Sequence, residues 1–225
     1  MGWFGDVLAW FRDSTHWQGP DGVLQRLVEH VGVSAAALGI ACALAIPLAL
    51  WLGHVHRGGS LAVGVSNIGR AVPTFAVLVL LVLAPDPFGL STLSILTALV
   101  LFAIPPILTN TYIGVREVDP AAVDAARGMG MSGPQVLSKV ELPLAVPLVM
   151  DGVRLAAVQI IATATIAALV AGGGLGTIIT EGFARQDQAE VVAGALCVLV
   201  LALTVEGLMA LLQRRVNPLR RARRA

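Results

Sequence analysis

The chain has 225 residues, 56% of them hydrophobic and only 13% charged, and its mean hydropathy is +0.83. Soluble domains carry about 25% charged and roughly 45–50% apolar residues, so one water-facing core is excluded and a single membrane domain is implied. A net charge of +1 supplies no broad field for nucleic acid.

The first residues place Trp3-Phe4, Val7-Leu8 and Trp10-Phe11 in an apolar stripe at helical spacing, with Asp6, Arg12 and Asp13 opposite. Trp-rich amphipathic segments settle at the headgroup boundary, which predicts an interfacial helix within an external segment 1–26. A docking surface for a partner is the alternative. A signal peptide is disfavoured, because no basic region precedes the stripe and Asp6 and Arg12 interrupt it.

Apolar runs of membrane-crossing length follow at 27–52, 61–84, 92–108, 144–171 and 191–212. They predict an all-α membrane protein with five to six spans in a domain 27–212. Gly69-Arg70-Ala71-Val72-Pro73 interrupts the second run. Proline removes a donor and disfavours helix at the residue before it, so a break near Val72 is predicted. Broken helices in membranes need cover from protein or a watery path. This turns residues 70–75 toward the bundle interior and makes Pro73, Thr74 and Phe75 pathway candidates. Cys42 and Cys197 lie inside apolar runs and read as small packed hydrophobes, with neither a disulfide framework nor a zinc spacing. His54 and His56 would face apart on a helix, with no carboxylate or cysteine nearby, so they suggest neither a metal site nor a catalytic base.

The connection 110–143 is long for a compact bundle. Asp119-Pro120 pairs an N-cap with Pro at N1 and starts a short helix, which Gly128 and Gly130 end. Ser132 caps a second short helix with Pro134 in its first turn, running toward Lys139. Together the two helices predict a compact knob.

At this point the chain resembles a known family. Asp124-Ala125-Ala126, Gly130 and Val140-Glu141-Leu142-Pro143 match in spacing the EAA loop of binding-protein-dependent ABC importer permeases, with Asp for Glu and Val for Ile. Asn110-Thr111-Tyr112, Val72-Pro73-Thr74-Phe75 and the stretch 164–176 extend the likeness to the osmoprotectant branch, whose solutes are glycine betaine, choline and carnitine. The resemblance implies a type I importer permease in a bacterial plasma membrane, whose coupling helix, 120–130, seats in a separate ATPase subunit. Pro120, Asp124, Ala125, Ala126, Gly128, Gly130, Leu142 and Pro143 then form the coupling loop, with Asp124 facing the ATPase and Ala125 and Ala126 allowing close approach. It implies no cofactor in this chain, since ATP is bound by the partner. It also implies an external substrate-binding protein and a second permease copy or paralogue. No enzyme activity is expected.

Gly172-Gly173-Gly174-Leu175-Gly176 lacks the Lys-Ser or Lys-Thr of a phosphate loop and follows a membrane span. Its glycines suit a sharp turn; the family implies a bend into a short outer helix near 177–183 that gates the pathway. Asp151 and Arg154 share a helix face and, with Glu206, predict a structural ion pair near the inner interface. Gln159, Thr163 and Thr165 are candidate pathway residues, although Thr in such helices often bonds its own backbone. Ala156, Ala157, Ala162, Ala164, Ala167 and Ala168 provide a close-packing surface.

Arginine placement sets the orientation. The tail 213–225, with Arg214, Arg215, Arg220, Arg221, Arg223 and Arg224, is expected in the cytoplasm together with Arg57 and the loop 116–139. Asp86, Glu181, Asp187 and Glu190 fall outside, with Arg185 as the exception, and the N-terminus is external. The competing readings are a permease for an amino acid or sulfur compound, a channel or scaffold, and, more remotely, an intramembrane enzyme.

Overall fold

The computed structural model describes residues 3–57, 59, 64, 67, 69, 71–171 and 173–216. Among these residues it is helical, without strands. We number the helices α1 (Trp3–Arg12), α2 (Val23–His54), α3 (Thr74–Leu83), α4 (Thr92–Arg116), α5 (Pro120–Gly128), α6 (Gly133–Val136), α7 (Leu142–Ala171), α8 (Gly176–Arg185) and α9 (Gln188–Val216). Among the described residues, four stretches are long and apolar enough to cross a membrane: Val23–His54, Thr92–Arg116, Gly133–Val170 and Gln188–Val216. The first half of the expected second span lies largely outside the described residues, and its second half is the ten-residue α3. The break before it falls where the proline rule puts it, with Pro73 extended at the N-cap.

Two expected boundaries move. Helix α4 does not stop at 108 but runs through Pro105 and Pro106 to Arg116. Prolines inside membrane helices are accommodated because neighbouring groups re-satisfy the freed backbone. The second short helix of the knob is also not a separate element. Residues 133–136 pass through one wide turn at 137–141, with i→i+5 bonding, straight into α7. Pro143 has no N–H for the Lys139 carbonyl, and in a regular α-helix its ring would crowd that oxygen; widening the turn relieves both problems. The non-helical part of the 110–143 connection therefore shrinks to a few residues on either side of α5.

The contacts gather into two compact units, and each long helix contributes one end to each unit. The first holds 1–38, 72–100 and 158–205. Its core joins Trp10 and Val23 to Leu175, Ile178 and Ala193, with Phe11, Trp17 and Leu27 against them. Helix α1 is thus not only interfacial: Val7 and Trp10 are buried in the protein, while Phe4 and Leu8 stay exposed. Trp17 Nε1 donates to the Phe11 carbonyl at 2.9 Å, and Trp10 stacks on His16. A second cluster packs Leu78 against Ala98 and Ala167.

The second unit holds 39–71, 101–157 and 206–225. Here α4 and α7 approach closely through small residues. A Cβ on Gly152 would stand 2.8 Å from the Pro106 carbonyl oxygen and 2.9 Å from Asn110 Cβ, and one on Gly114 3.0 Å from Leu148 Cβ. Small residues at helix contacts are how membrane bundles gain dispersion energy where no hydrophobic force separates helix from lipid. Ala156 and Ala157 in this unit, and Ala164, Ala167 and Ala168 in the first, are buried as the alanine pattern suggests; Ala162 is exposed.

Candidate functional site

The knob begins where Asp119 Oδ1 accepts the Ala121 N–H at 2.9 Å, with Pro120 at N1, so the first turn of α5 is capped as its sequence requires. It ends at Met129, and Gly130 carries φ +83°, a left-handed value that glycine adopts without a Cβ penalty. The Ser132 N–H then donates to Gln135 Oε1 at 2.8 Å, restarting the helix. Beneath α5, Val118, Val123, Ala126 and Val136 form a small core with Met131 and Val140 packed against it.

This core corrects one expectation. Ala126 is 1% exposed and packs inward, so its small side chain brings α5 close to Val136 rather than close to a partner. The outward surface includes Pro120, Ala121, Asp124, Ala125, Arg127, Gly128 and Gly130. It also includes Met129, 73% exposed, which the sequence pattern does not single out. An exposed, flexible thioether can adapt its shape to a partner groove. Leu142 and Pro143 are half-buried in the first turn of α7.

One premise of the histidine reading is corrected: a carboxylate does lie beside His54. His54 Nδ1 donates to Glu141 Oε2 at 2.6 Å, across 87 residues of sequence. Glu141 supplies the carboxylate that the residues flanking His54 in sequence do not. His56 serves the backbone instead. At φ +55° it closes α2, its N–H donating to the Gly53 carbonyl at 3.1 Å, its Nδ1 to the same oxygen at 2.8 Å.

The expected ion-pair group forms with Glu206 as the carboxylate on Arg154. Arg154 reaches Glu206 on α9 with Nε at 2.7 Å and with Nη2, instead of pairing directly with Asp151. Asp151 accepts from Gln213 Nε2 at 2.8 Å, and the same amide reaches the Pro147 carbonyl at 3.2 Å. These contacts tie α7 to α9.

In the first unit the glycine turn is held from two sides. Gly173 N–H donates to Thr177 Oγ1 at 2.9 Å, and Gly174 N–H donates to Glu29 Oε2 at 3.1 Å. Both residues have positive φ, +96° and +66°. Gly172 lies outside the described residues. His30, 2% exposed, sits against Gly174 and donates Nε2 to the Ile161 carbonyl at 3.2 Å. Glu29, His30, Ile95, Ala164, Ala167 and the two glycines line a cavity of about 180 Å³. The turn leads into α8 as expected, and Arg185, the misplaced cation, is neutralised between Glu181 and Glu190 at 2.9 Å each.

The other pathway candidates do not converge. Thr165 Oγ1 donates to its own helix at Ile161 O, 3.1 Å; Thr163 is buried and Gln159 exposed. Val72, Pro73 and Phe75 are exposed on this chain instead of facing its interior, Phe75 at 47%, and Thr74 is half-buried. Arg70 lies outside the described residues. No group of three metal-ligating side chains occurs among the described residues.

Residues 45–218 match the family described as the binding-protein-dependent transport system inner membrane component. The chain belongs to this family. It is therefore a multi-pass membrane subunit of a transport system, not an enzyme, and a system of this kind works with a substrate-binding protein and a separate ATPase. This inner membrane component is 34% identical to the carnitine transport permease protein OpuCB of Listeria monocytogenes, over 94% of each chain. It is 31% identical to the glycine betaine/carnitine/choline transport system permease protein OpuCB of Bacillus subtilis, over 87% of this chain and 89% of the relative. The osmoprotectant import permease protein OsmW of Salmonella typhimurium is 30% identical, over 84% and 89%. Among solved structures, the MetNI methionine ABC transporter in an inward-facing form superposes with TM-score 0.74 at 20% identity, covering 86% of this chain and 96% of that one. The fold is that of a type I ABC importer permease.

Proposed function

We propose that this chain is the permease subunit of an ATP-driven importer for osmoprotectants of the quaternary-amine class, such as glycine betaine, choline or carnitine. The observation that carries the reading is likeness along most of the chain to permeases named for those solutes. In this reading α5 is the coupling helix, and Asp124, Ala125 and Met129 meet the ATPase. ATP is bound and hydrolysed there, and no cofactor resides in this chain. The basic tail 213–225, whose residues 217–225 lie outside the described set, is cytoplasmic; the segment 1–26 and α8 are external.

The exposed Val72, Pro73 and Phe75 suit contact with a second permease copy or with the solute path between copies. The glycine turn and α8 act as the outer gate. Closure of the ATPases shifts the pair between outward- and inward-facing states, which solute and ATP bias differentially. With one Tyr and four Trp in the chain, an aromatic cage for a quaternary ammonium belongs to the binding protein, and selectivity rests there.

The test is copurification with the ATPase and binding protein followed by a solute screen for stimulated ATP hydrolysis. Stimulation by glycine betaine, choline or carnitine is expected. Stimulation by an amino acid or sulfur compound alone would move the solute assignment, and solute flux without ATPase or binding protein would favour a channel.

A further inference from the structure

The knob is continuous with α4 at one end and α7 at the other, and its link to α2 is a side-chain bond. Among the described residues, the hydrogen bond between His54 and Glu141 is the side-chain hydrogen bond that ties residues 117–141 to α2, a helix with which they are not continuous. Glu141 is 1% exposed and is the last residue of the wide turn. Its neighbours in that turn face two cores at once. Val140 packs on the cluster under α5, and Leu137 packs on the cluster of Val115, Ala145 and Val149 that also receives Ile46 and Leu50 of α2. His54 is the last residue of α2, and its Nε2 would lie 3.4 Å from a Cβ placed on Gly133, so the ring covers the start of α6.

We propose that Glu141 and His54 are positioning residues that pass displacement of the coupling helix to α2. The proposal rests on the reading of α5 as that helix. Three observations support it. A carboxylate buried this fully is satisfied only while its donor stays with it, so the end of α2 must follow the turn when the turn moves. Wide turns of this kind open a helix by one residue and are frequent at functional sites, and this one aims Glu141 inward at the junction of the knob and the span. The chain of contacts from α5 through Val123 and Ala126, Val136 and Val140 to Glu141 and His54 is continuous. Apolar packing alone tolerates sliding; a 2.6 Å hydrogen bond, which weakens steeply with misalignment, holds one register.

The test uses the complete complex in vesicles with its ATPase and binding protein, measuring glycine betaine uptake together with ATP hydrolysis. His54→Leu and Glu141→Gln are expected to keep the ATPase bound and active while uptake per ATP falls at least fivefold. His54→Asn, whose amide nitrogen takes the place of Nδ1, is expected to recover most of the ratio. The double variant His54→Leu/Glu141→Leu leaves no orphaned polar group, and replacing a buried pair by apolar residues is often neutral for stability. It is expected to regain thermal stability but not the uptake ratio. Natural uptake per ATP in that double variant or in His54→Leu would overturn the link and leave the pair as packing. Asp124→Arg is measured alongside: if it retains the ATPase fully, the docking reading has failed, separately from the link. If the natural complex takes up no glycine betaine, the solute assignment has failed. The variants are then scored on stimulation of hydrolysis by the binding protein, expected to be lost in His54→Leu and kept in His54→Asn; equal stimulation in both would overturn the link.

Discussion

Replacing Gly174 by alanine tests the outer turn with the smallest possible perturbation. The residue sits at φ +66°, where an added Cβ costs about 1–2 kcal/mol from backbone sterics alone. The new methyl would also stand 2.9 Å from His30 Nδ1 and 3.1 Å from His30 Cβ. His30 is buried and its other nitrogen is bonded to Ile161, so the ring has little freedom to retreat. Overpacking of this kind costs about 1–3 kcal/mol, and the two contributions sum to roughly 2–5 kcal/mol. At about 2–4 °C per kcal/mol for a chain of this size, the apparent Tm of the purified complex falls by roughly 4–20 °C. Gly173→Ala is the matched control: it has positive φ too, but nothing lies within 4 Å of its Cβ position, so its loss is confined to the backbone share. The assay is thermal unfolding of both variants beside solute uptake. A Gly174→Ala complex as stable as the natural one, or less perturbed than Gly173→Ala, would refute the argument that His30 closes over the turn.

Other consequences are as direct. Asp119→Ala removes the N-cap of a nine-residue helix, a loss of about 1 kcal/mol; copurification should show weaker retention of the ATPase, with the membrane fold intact by circular dichroism. Met129→Glu touches only the exposed end of α5 and should lower ATPase retention without changing Tm. Gly152→Leu drives a side chain into Pro106 and Asn110 and should reduce the yield of folded permease severely, measured by size-exclusion chromatography in detergent. Arg154→Gln leaves Glu206 without its cation at the α7–α9 contact and should impair assembly before transport; a fully assembled variant with lost uptake would instead make Arg154 a pathway residue.

Local signals are legible where local physics decides. Asp119-Pro120, Gly130 and the Gly173-Gly174 turn each solve a problem of backbone geometry within a few residues, and all three stand as their sequence implies. The same reasoning ends α4 too early, because the apolar run stops at Leu108 whereas the helix continues through the polar Thr109, Asn110 and Thr111 to Arg116. It gathers Asp151, Arg154 and Glu206 into one ion-pair group and Arg154 does meet Glu206, but helical spacing cannot show that Asp151 is bonded instead by Gln213, 62 positions away. The His54–Glu141 bond spans 87 positions and leaves no local trace. Ala126 misleads for a related reason: a small residue permits close approach, but the sequence does not say to what.

Ala126 has a wider consequence. Along α5 the inward residues Val123 and Ala126 build the knob, and the outward residues Asp124, Ala125 and Met129 are free of that duty. In the proposed reading, structural and partner-facing roles are held by different letters of one nine-residue segment and its cap. Exchanging only the outward letters between permeases should transplant ATPase preference onto an unchanged scaffold, so new pairings can evolve here one surface residue at a time.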